Sequence, residues 1–241
     1  MILLSFPTHS LSLSLSHTNN IGTTRLEGLL HSDDTQVMMR ALELLGASFV
    51  WEQDAKILKV RGVGGKFRFP EKELYLSNAG TASRFLTSVA TLVPCPKGKC
   101  VVVTGNERAQ ERPILQLVKA LRQHGCDIDY RNNEGFLPLE IKGTGLRGGE
   151  FKISGKISSQ YISSVMLSAP YAAKPLVLKI AEKHPTSLPY IKMTIAAMKQ
   201  FGVNVETIAD NHYIIPNCGY SAPSDDVVQV EADASSATYV V

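Results

Sequence analysis

The chain has 241 residues, 44% apolar and 20% charged, enough to bury a sizeable core as one large domain or two small ones. A net charge of +3, with acids and bases interspersed, argues against a nucleic-acid binder, although arginines at special places can still build a local anion pocket. Cys95, Cys100, Cys126 and Cys218 lack metal-ligand spacing and read as free thiols of a reducing, cytoplasmic compartment, with no metal or cofactor expected.

The first stretch, MILLSFPTHSLSLSLSHTNN, alternates Leu and Ser without a basic leader or a long apolar run. It fits neither a membrane span nor a secretory signal, and residues 1–21 are read as an atypical, poorly ordered extension. Next comes DDTQVMMRALELLGASFVW (33–51), a helix ending at Gly46 and running into a strand, with Asp33 and Gln36 as a capping box. A second strand, ILKVRG (57–62), follows. A helix beginning at Gly80 in LSNAGTASRFL (76–86) leads to the strand CVVVTG (100–105) and the bend TGNERAQERP (104–113). RPILQLVKALRQHGCDIDY (112–130) then repeats the helix–glycine–strand pattern, with Pro113 in the first helical turn, and FLPLEIKG (136–143) is its second strand. The same succession returns once more: the helix SSQYISSVMLSAPYA from 158, the strand PLVLKI (175–180), the helix LPYIKMTIAAMKQFGVNVE (188–206) opened by Pro189, and the strand HYIIP (212–216).

Gly46, Gly125 and Gly202 are 79 and 77 residues apart, and each can take the left-handed position that closes a helix. Met39 and Leu42, Val118 and Leu121, and Ile195 and Met198 precede them at fixed distances, one helical face kept in register. The unit is therefore strand–helix–strand–helix–strand–strand, repeated three times. A period so long suits no solenoid; three units closing around a shared core of helices, with the three glycine-ended helices side by side, is the expected α/β architecture.

Polar residues fall at equivalent points of this unit. Asn78, Gly80, Thr81, Ser83 and Arg84 open one partner helix, and Ser158, Ser159, Gln160 and Tyr161 open the next. Arg108 and Arg112 lie around the 104–113 bend, and Ser187 and Tyr190 around the later one. Singly, Ser or Asn at a helix start is an ordinary cap. Several such starts carrying hydroxyls, an amide and arginines on one repeated framework make an oxyanion pocket for a phosphorylated small molecule.

LLHSDDT (29–35), LSNAGTASRFL (76–86), TGNERAQERPI (104–114), SSQYISSVMLSAPYA (158–172), SLPYIKMT (187–194) and EADASSATY (231–239) together resemble the enolpyruvyl transferase family, from about Gly22 to the end of the chain. The closest likeness is to the branch acting on shikimate 3-phosphate, in the version carried by fungal multifunctional polypeptides. The resemblance implies two lobes, each of three βαβαββ units with helices inside and sheets outside (an inside-out α/β barrel), and transfer of an enolpyruvyl group from phosphoenolpyruvate to the 5-hydroxyl of shikimate 3-phosphate. It assigns Ser158, Ser159, Ser187, Gln160 and Tyr190 to shikimate 3-phosphate, and Asn78, Gly80, Arg108 and Gln160 to phosphoenolpyruvate, with Thr81 and Arg84 shaping the pocket. Arg112 is left between ligand contact and a structural salt bridge. Inhibitors of the glyphosate type are implied as further ligands, and a second lobe or a larger multifunctional polypeptide as partner; neither nucleic acid nor membrane is. A sister branch acting on UDP-N-acetylglucosamine fits the SSQY and SLPY segments less well.

The sequence departs from the family pattern at both ends. The basic opening segment of the family is replaced by the Leu/Ser-rich extension, with no lysine before Lys56. Gln110, Leu188 and Phe85 replace residues common in relatives. The expected organisation is an extension (1–21), a three-repeat lobe (22–230) and a crossover (231–241) towards a second lobe that supplies the catalytic acid and base, so that no catalytic residue is assigned here and the chain by itself is expected to be inactive. The alternative is a non-catalytic lobe that binds shikimate 3-phosphate or a partner.

Overall fold

A computed structural model describes residues 23–54, 56–223 and 226–230. The 1–21 extension and the 231–241 crossover lie outside the described residues. The elements run β1 (Thr23–Glu27), α1 (Asp33–Leu44), β2 (Ser48–Glu52), β3 (Ile57–Arg61), β4 (Leu74–Tyr75), α2 (Gly80–Ala90), β5 (Val101–Thr104), α3 (Glu107–Gln110), α4 (Leu115–Gln123), β6 (Asp127–Tyr130) and β7 (Leu139–Lys142). They continue with β8 (Gly149–Ile153), α5 (Ser159–Ser168), β9 (Leu176–Ile180), α6 (Leu188–Gln200), β10 (Glu206–Ala209), β11 (His212–Ile215) and β12 (Val227–Gln229).

The strands form three four-stranded sheets, ordered β12-β1-β3-β2, β4-β5-β7-β6 and β8-β9-β11-β10. In each, the first pair is parallel and the others antiparallel. A parallel pair needs a crossover, and α2 and α5 supply it for the second and third sheets. The first sheet has the same order because β12, near the end of the described chain, takes the place held by β4 and β8. The βαβαββ repeat expected from the spacing is therefore observed whole in the second and third units, and among the described residues the first has β1, α1, β2 and β3 with β12 beside them.

Local signals account for most of the element ends. Gly46, Gly125 and Gly202 have φ of +108°, +84° and +80°, the left-handed region that glycine enters without a Cβ clash. The cap of α1 falls one residue earlier than expected. Ser32 is extended and its Oγ accepts the Thr35 N–H at 3.2 Å, while Thr35 Oγ1 accepts the Ser32 N–H at 3.0 Å; Asp33 is already helical. Pro189 sits in the first turn of α6, but Pro113 precedes α4, its carbonyl accepting the Tyr161 hydroxyl at 2.7 Å.

Helix packing corrects the expectation that the three glycine-ended helices lie side by side. The closest helix pairs are α2 with α5 and α5 with α6; α1 rests on α2, and α4 packs against β6 and β8. The reason lies in the side chains. α5 beyond Gln160 is apolar or small and hydroxylic on every face, and Tyr161 to Ser168 are all buried, as is α2 apart from Arg84. Such helices take the centre. The glycine-ended helices keep charged outer faces, with Arg40 and Glu43, Lys119 and Arg122, and Lys192 and Lys199 exposed. Hydroxyls join the central helices: Ser88 to Ser164, Ser163 to Thr194 at 2.7 Å, and Ser164 Oγ donating to the Arg84 carbonyl at 2.8 Å. The pairs Gln160–Thr81 and Ser164–Ser88 advance together along α5 and α2, and the first residues of α2, α5 and α6 line one cleft. The helices are therefore parallel, and their N-termini open on one end of the lobe.

Candidate functional site

Those N-termini line a cleft of about 850 Å³. Asn78, Gly80, Thr81 and Arg84 come from the start of α2, Ile157, Ser158, Ser159 and Gln160 from the start of α5, and Thr186, Ser187 and Tyr190 from the start of α6. Asp34, in the first turn of α1, and Arg112 complete the lining. A second cleft of about 670 Å³ beside α1 has only one helix start, and its Glu73 carboxylate is committed to Arg131 at 2.6 Å.

Two of the three helix starts are left uncapped. The residue before α2 is Ala79, which has no side chain to offer, and Ser187 before α6 makes no side-chain capping bond. Ser187 is held at φ +58°, a conformation uncommon for a residue with a Cβ. The backbone N–H groups of these first turns have no helical acceptor and carry the positive end of the helix dipole. At α5 the Ser158 Oγ accepts the Gln160 N–H at 3.2 Å, which leaves the Ser158 O–H itself to donate elsewhere. Ser159 is buried beside it.

Gln160 spans the middle of the cleft. Its Nε2 donates to Thr81 Oγ1 at 3.1 Å and its Oε1 accepts from Arg84 Nη1. The Arg84 guanidinium carbon also lies 5.6 Å from the centre of the Tyr161 ring. Burial works against the charge on Arg84 and lowers its pKa, a trend that the neighbouring charge of Arg112 reinforces. Asp34 is half-buried, and burial raises its pKa while Arg112 pulls it back down. Asn78 Oδ1 is buried with no hydrogen-bond partner.

The structure brings together nearly all the residues singled out from the sequence: Asn78, Gly80, Thr81, Arg84, Ser158, Ser159, Gln160, Ser187 and Tyr190. Arg108 is not among them; it is exposed on α3, outside the lining. Arg112, Asp34, Thr186 and Ile157 are the lining residues that sequence reasoning did not assign. Asp34 lies within the LLHSDDT motif and Thr186 beside Ser187, so their neighbours pointed to them; nothing local separates Arg112 from Arg108.

Among the described residues no group of three or more His, Cys, Asp or Glu side chains could hold a metal ion, and no helix is long and apolar enough to cross a membrane. Of the cysteines, Cys126 is buried, which pushes its thiol up to about 11, and Cys218 is exposed.

A lobe of repeated β/α units whose parallel helices open on one polar cleft has counterparts among known proteins. The family profile for EPSP synthase (3-phosphoshikimate 1-carboxyvinyltransferase) matches residues 15–241, and the chain belongs to that family. It is 55% identical over 224 residues to the pentafunctional AROM polypeptide of Schizosaccharomyces japonicus and 51% identical over 222 residues to that of Schizosaccharomyces pombe. In both cases the match covers 90% of this chain and 14% of the relative. The fold is similar to that of EPSP synthase from Acinetobacter baumannii, with a TM-score of 0.79 and 25% identity over 98% of this chain and 49% of that one. The enolpyruvyl transferase NikO from Streptomyces tendae shares the fold at a TM-score of 0.63 and 12% identity, over 95% of this chain and 50% of that one.

Proposed function

We propose that the chain is a substrate-binding lobe for enolpyruvyl transfer. It holds shikimate 3-phosphate and phosphoenolpyruvate so that the enolpyruvyl group passes to the 5-hydroxyl, giving EPSP and phosphate, as one section of a larger multifunctional polypeptide. The observation that carries this reading is the division of one cleft by Gln160 into two anion subsites of different construction. On one bank Ser158, Ser159, Ser187 and Tyr190 offer neutral hydroxyl donors with the N–H groups of two helix starts, suited to the phosphoryl group of shikimate 3-phosphate. On the other bank Asn78, Gly80 and the uncapped start of α2 stand beside Arg84, suited to the carboxylate and phosphate of phosphoenolpyruvate. Thr81 fixes Gln160 between them. Arg108 is retained as a phosphoenolpyruvate contact, made from exposed α3 rather than from the lining of the cleft.

Adding the hydroxyl to C2 of phosphoenolpyruvate requires a base for the hydroxyl and an acid for the methylene carbon; phosphate then leaves the tetrahedral adduct. The lining holds a single carboxyl, Asp34, beside Arg112. The acid and base are assigned to a second lobe whose closure also excludes water. Binding energy and alignment are the contributions of this lobe.

Calorimetric titration with shikimate 3-phosphate, then with phosphoenolpyruvate in its presence, run beside a phosphate-release assay, tests the proposal. Binding without phosphate release is expected, with Ser159→Ala weakening shikimate 3-phosphate by about tenfold. A chain that binds neither ligand overturns the reading, and phosphate release by the chain alone overturns the assignment of acid and base.

A further inference from the structure

Outside the lining of the cleft, on the side of its hydroxyl bank, the carboxylate of Glu182 faces the loop that leads into α5. Both of its oxygens are taken, one by the Ser154 hydroxyl and the other by the Gly155 N–H, each at 2.6 Å. Among the described residues no lysine or arginine comes within ion-pair distance of it, so what it holds is the loop and not a surface cation. Burial alone would raise the Glu182 pKa, but the hydrogen bonds from Ser154 and Gly155 outweigh it and keep the group below its ordinary value. The facing loops are joined at further points. The Thr186 N–H donates to the Gly155 carbonyl at 3.0 Å, and Thr186 Oγ1 donates to the Lys156 carbonyl at 2.9 Å. Asn211 Nδ2 donates to the carbonyls of Glu182 and Lys183 at 2.9 and 3.0 Å. Gly155 permits so close an approach, since a Cβ there would lie 2.9 Å from Pro185 Cβ and 3.1 Å from Ile162 Cδ1.

The joined loops end at the two helix starts that carry the hydroxyls. Residues 154–156 run into Ser158 and Ser159, and residues 182–186 into Ser187. Ser187 has φ +58° and makes no capping bond of its own, and a conformation of that kind persists where the surroundings impose it. We propose that Glu182 is a positioning residue for shikimate 3-phosphate. By fastening one loop to the other it sets the spacing between Ser158 and Ser159 on one side and Ser187 on the other, so that their donors meet a single phosphoryl group. It touches no ligand itself. The proposal rests on the two-subsite reading above and deepens its hydroxyl bank. A phosphoryl group held by neutral donors depends on where they stand, because hydrogen bonds weaken steeply with misplacement. Fixing the spacing in advance spares the cost of ordering two loops on binding.

The test titrates shikimate 3-phosphate, and phosphoenolpyruvate in its saturating presence, into the unaltered chain, Glu182→Ala, Glu182→Gln, Ser187→Ala and the double variant Glu182→Ala/Ser187→Ala, with thermal unfolding of each. Glu182→Ala is expected to weaken shikimate 3-phosphate by at least about fivefold while phosphoenolpyruvate stays within about twofold. Glu182→Gln should recover most of the loss, because its amide oxygen still accepts the Gly155 N–H and the Ser154 hydroxyl can turn to accept from its nitrogen. Since Glu182 acts through Ser187, the loss in the double variant should fall short of the product of the two single losses by about threefold or more. Unchanged shikimate 3-phosphate affinity in Glu182→Ala overturns the proposal, as do losses that multiply. An equal weakening of both ligands, with a lower unfolding temperature that Glu182→Gln does not restore, marks a general structural role and overturns it too. If the unaltered chain binds no shikimate 3-phosphate, the two-subsite reading fails and takes this role with it; if it binds and the Glu182 variants behave like the unaltered chain, the reading stands and the positioning role alone is wrong.

Discussion

On the proposed reading, the two banks of the cleft are built to recognise anions by different physics. The α5–α6 bank uses hydroxyls and helix N–H groups, all neutral, with Ser158 already tied to its own helix and Ser187 set in a left-handed conformation. The α2 bank uses guanidinium charge, with Arg84 held by Gln160 and the Tyr161 ring and Arg112 lying over Gly80. Neutral donors fix the shape and orientation of a phosphoryl group at little desolvation cost; charges add strength but must be braced against mutual repulsion. A site for two different anions gains discrimination when its halves are built differently.

The largest effect is expected where the banks meet. Gln160→Ala removes both the bond to Thr81 and the acceptor for Arg84, and should weaken both ligands by about tenfold to a hundredfold in titration. A loss confined to one ligand would break the picture of Gln160 as a shared divider. Next, Tyr161→Phe keeps the ring under Arg84 but leaves the Pro113 carbonyl without its donor. Tyr161 is fully buried, and unfolding free energy should fall by roughly 1–3 kcal/mol, with the midpoint dropping about 2–4 °C per kcal/mol. An unchanged midpoint would mean that the 104–113 bend does not depend on α5.

Gly80→Ala should be milder and sharper. The new methyl meets the end of a flexible side chain, so stability should change by no more than about 0.5 kcal/mol. Phosphoenolpyruvate affinity should fall roughly fivefold as the guanidinium is pushed aside, with shikimate 3-phosphate unaffected. Parallel losses would show that the banks are not independent. The smallest effect lies outside both. His124 stacks on Phe151 at 3.8 Å, and burial lowers its pKa below the ordinary 6.5. Its neutral form is favoured in the fold, so its contribution is complete above the unfolded value of 6.5 and is lost as the pH falls from there through the lower folded value. Denaturation midpoints followed downward from pH 7 should show a shallow decline that His124→Asn flattens, while the relative affinities of the two banks stay put.

Much of this was legible in the sequence because it is written locally. Helix periodicity, the closing glycines and the hydroxyl-bearing helix starts are patterns within a dozen residues, and a framework repeated three times brings the starts to one end of the lobe. What escaped depends on partners distant in the chain. The two-residue strand β4 is too short to show a period, and its parallel pairing with β5 leaves no local mark. The cap at Ser32 and the position of Pro113 before its helix are shifts of a residue or two, settled by contacts with Thr35 and Tyr161. Arg108 and Arg112 differ in sequence only by one helical turn; which of them lines the cleft is decided by where Gly80 leaves room.

The strand β12 has a consequence for how the chain comes to be folded. Glu27 and Gln229 are 202 residues apart, yet they join in one sheet, whereas the second and third sheets are each made from a continuous stretch of chain. As the chain leaves the ribosome, those two sheets can each be completed as soon as their own segments have emerged. The first keeps an open edge at β1 until the intervening part of this lobe has been made. In sequence it is the beginning of the lobe; in assembly it is the clasp, closed last, and a pulse of hydrogen exchange during refolding should find β1 protected only after β5 and β9.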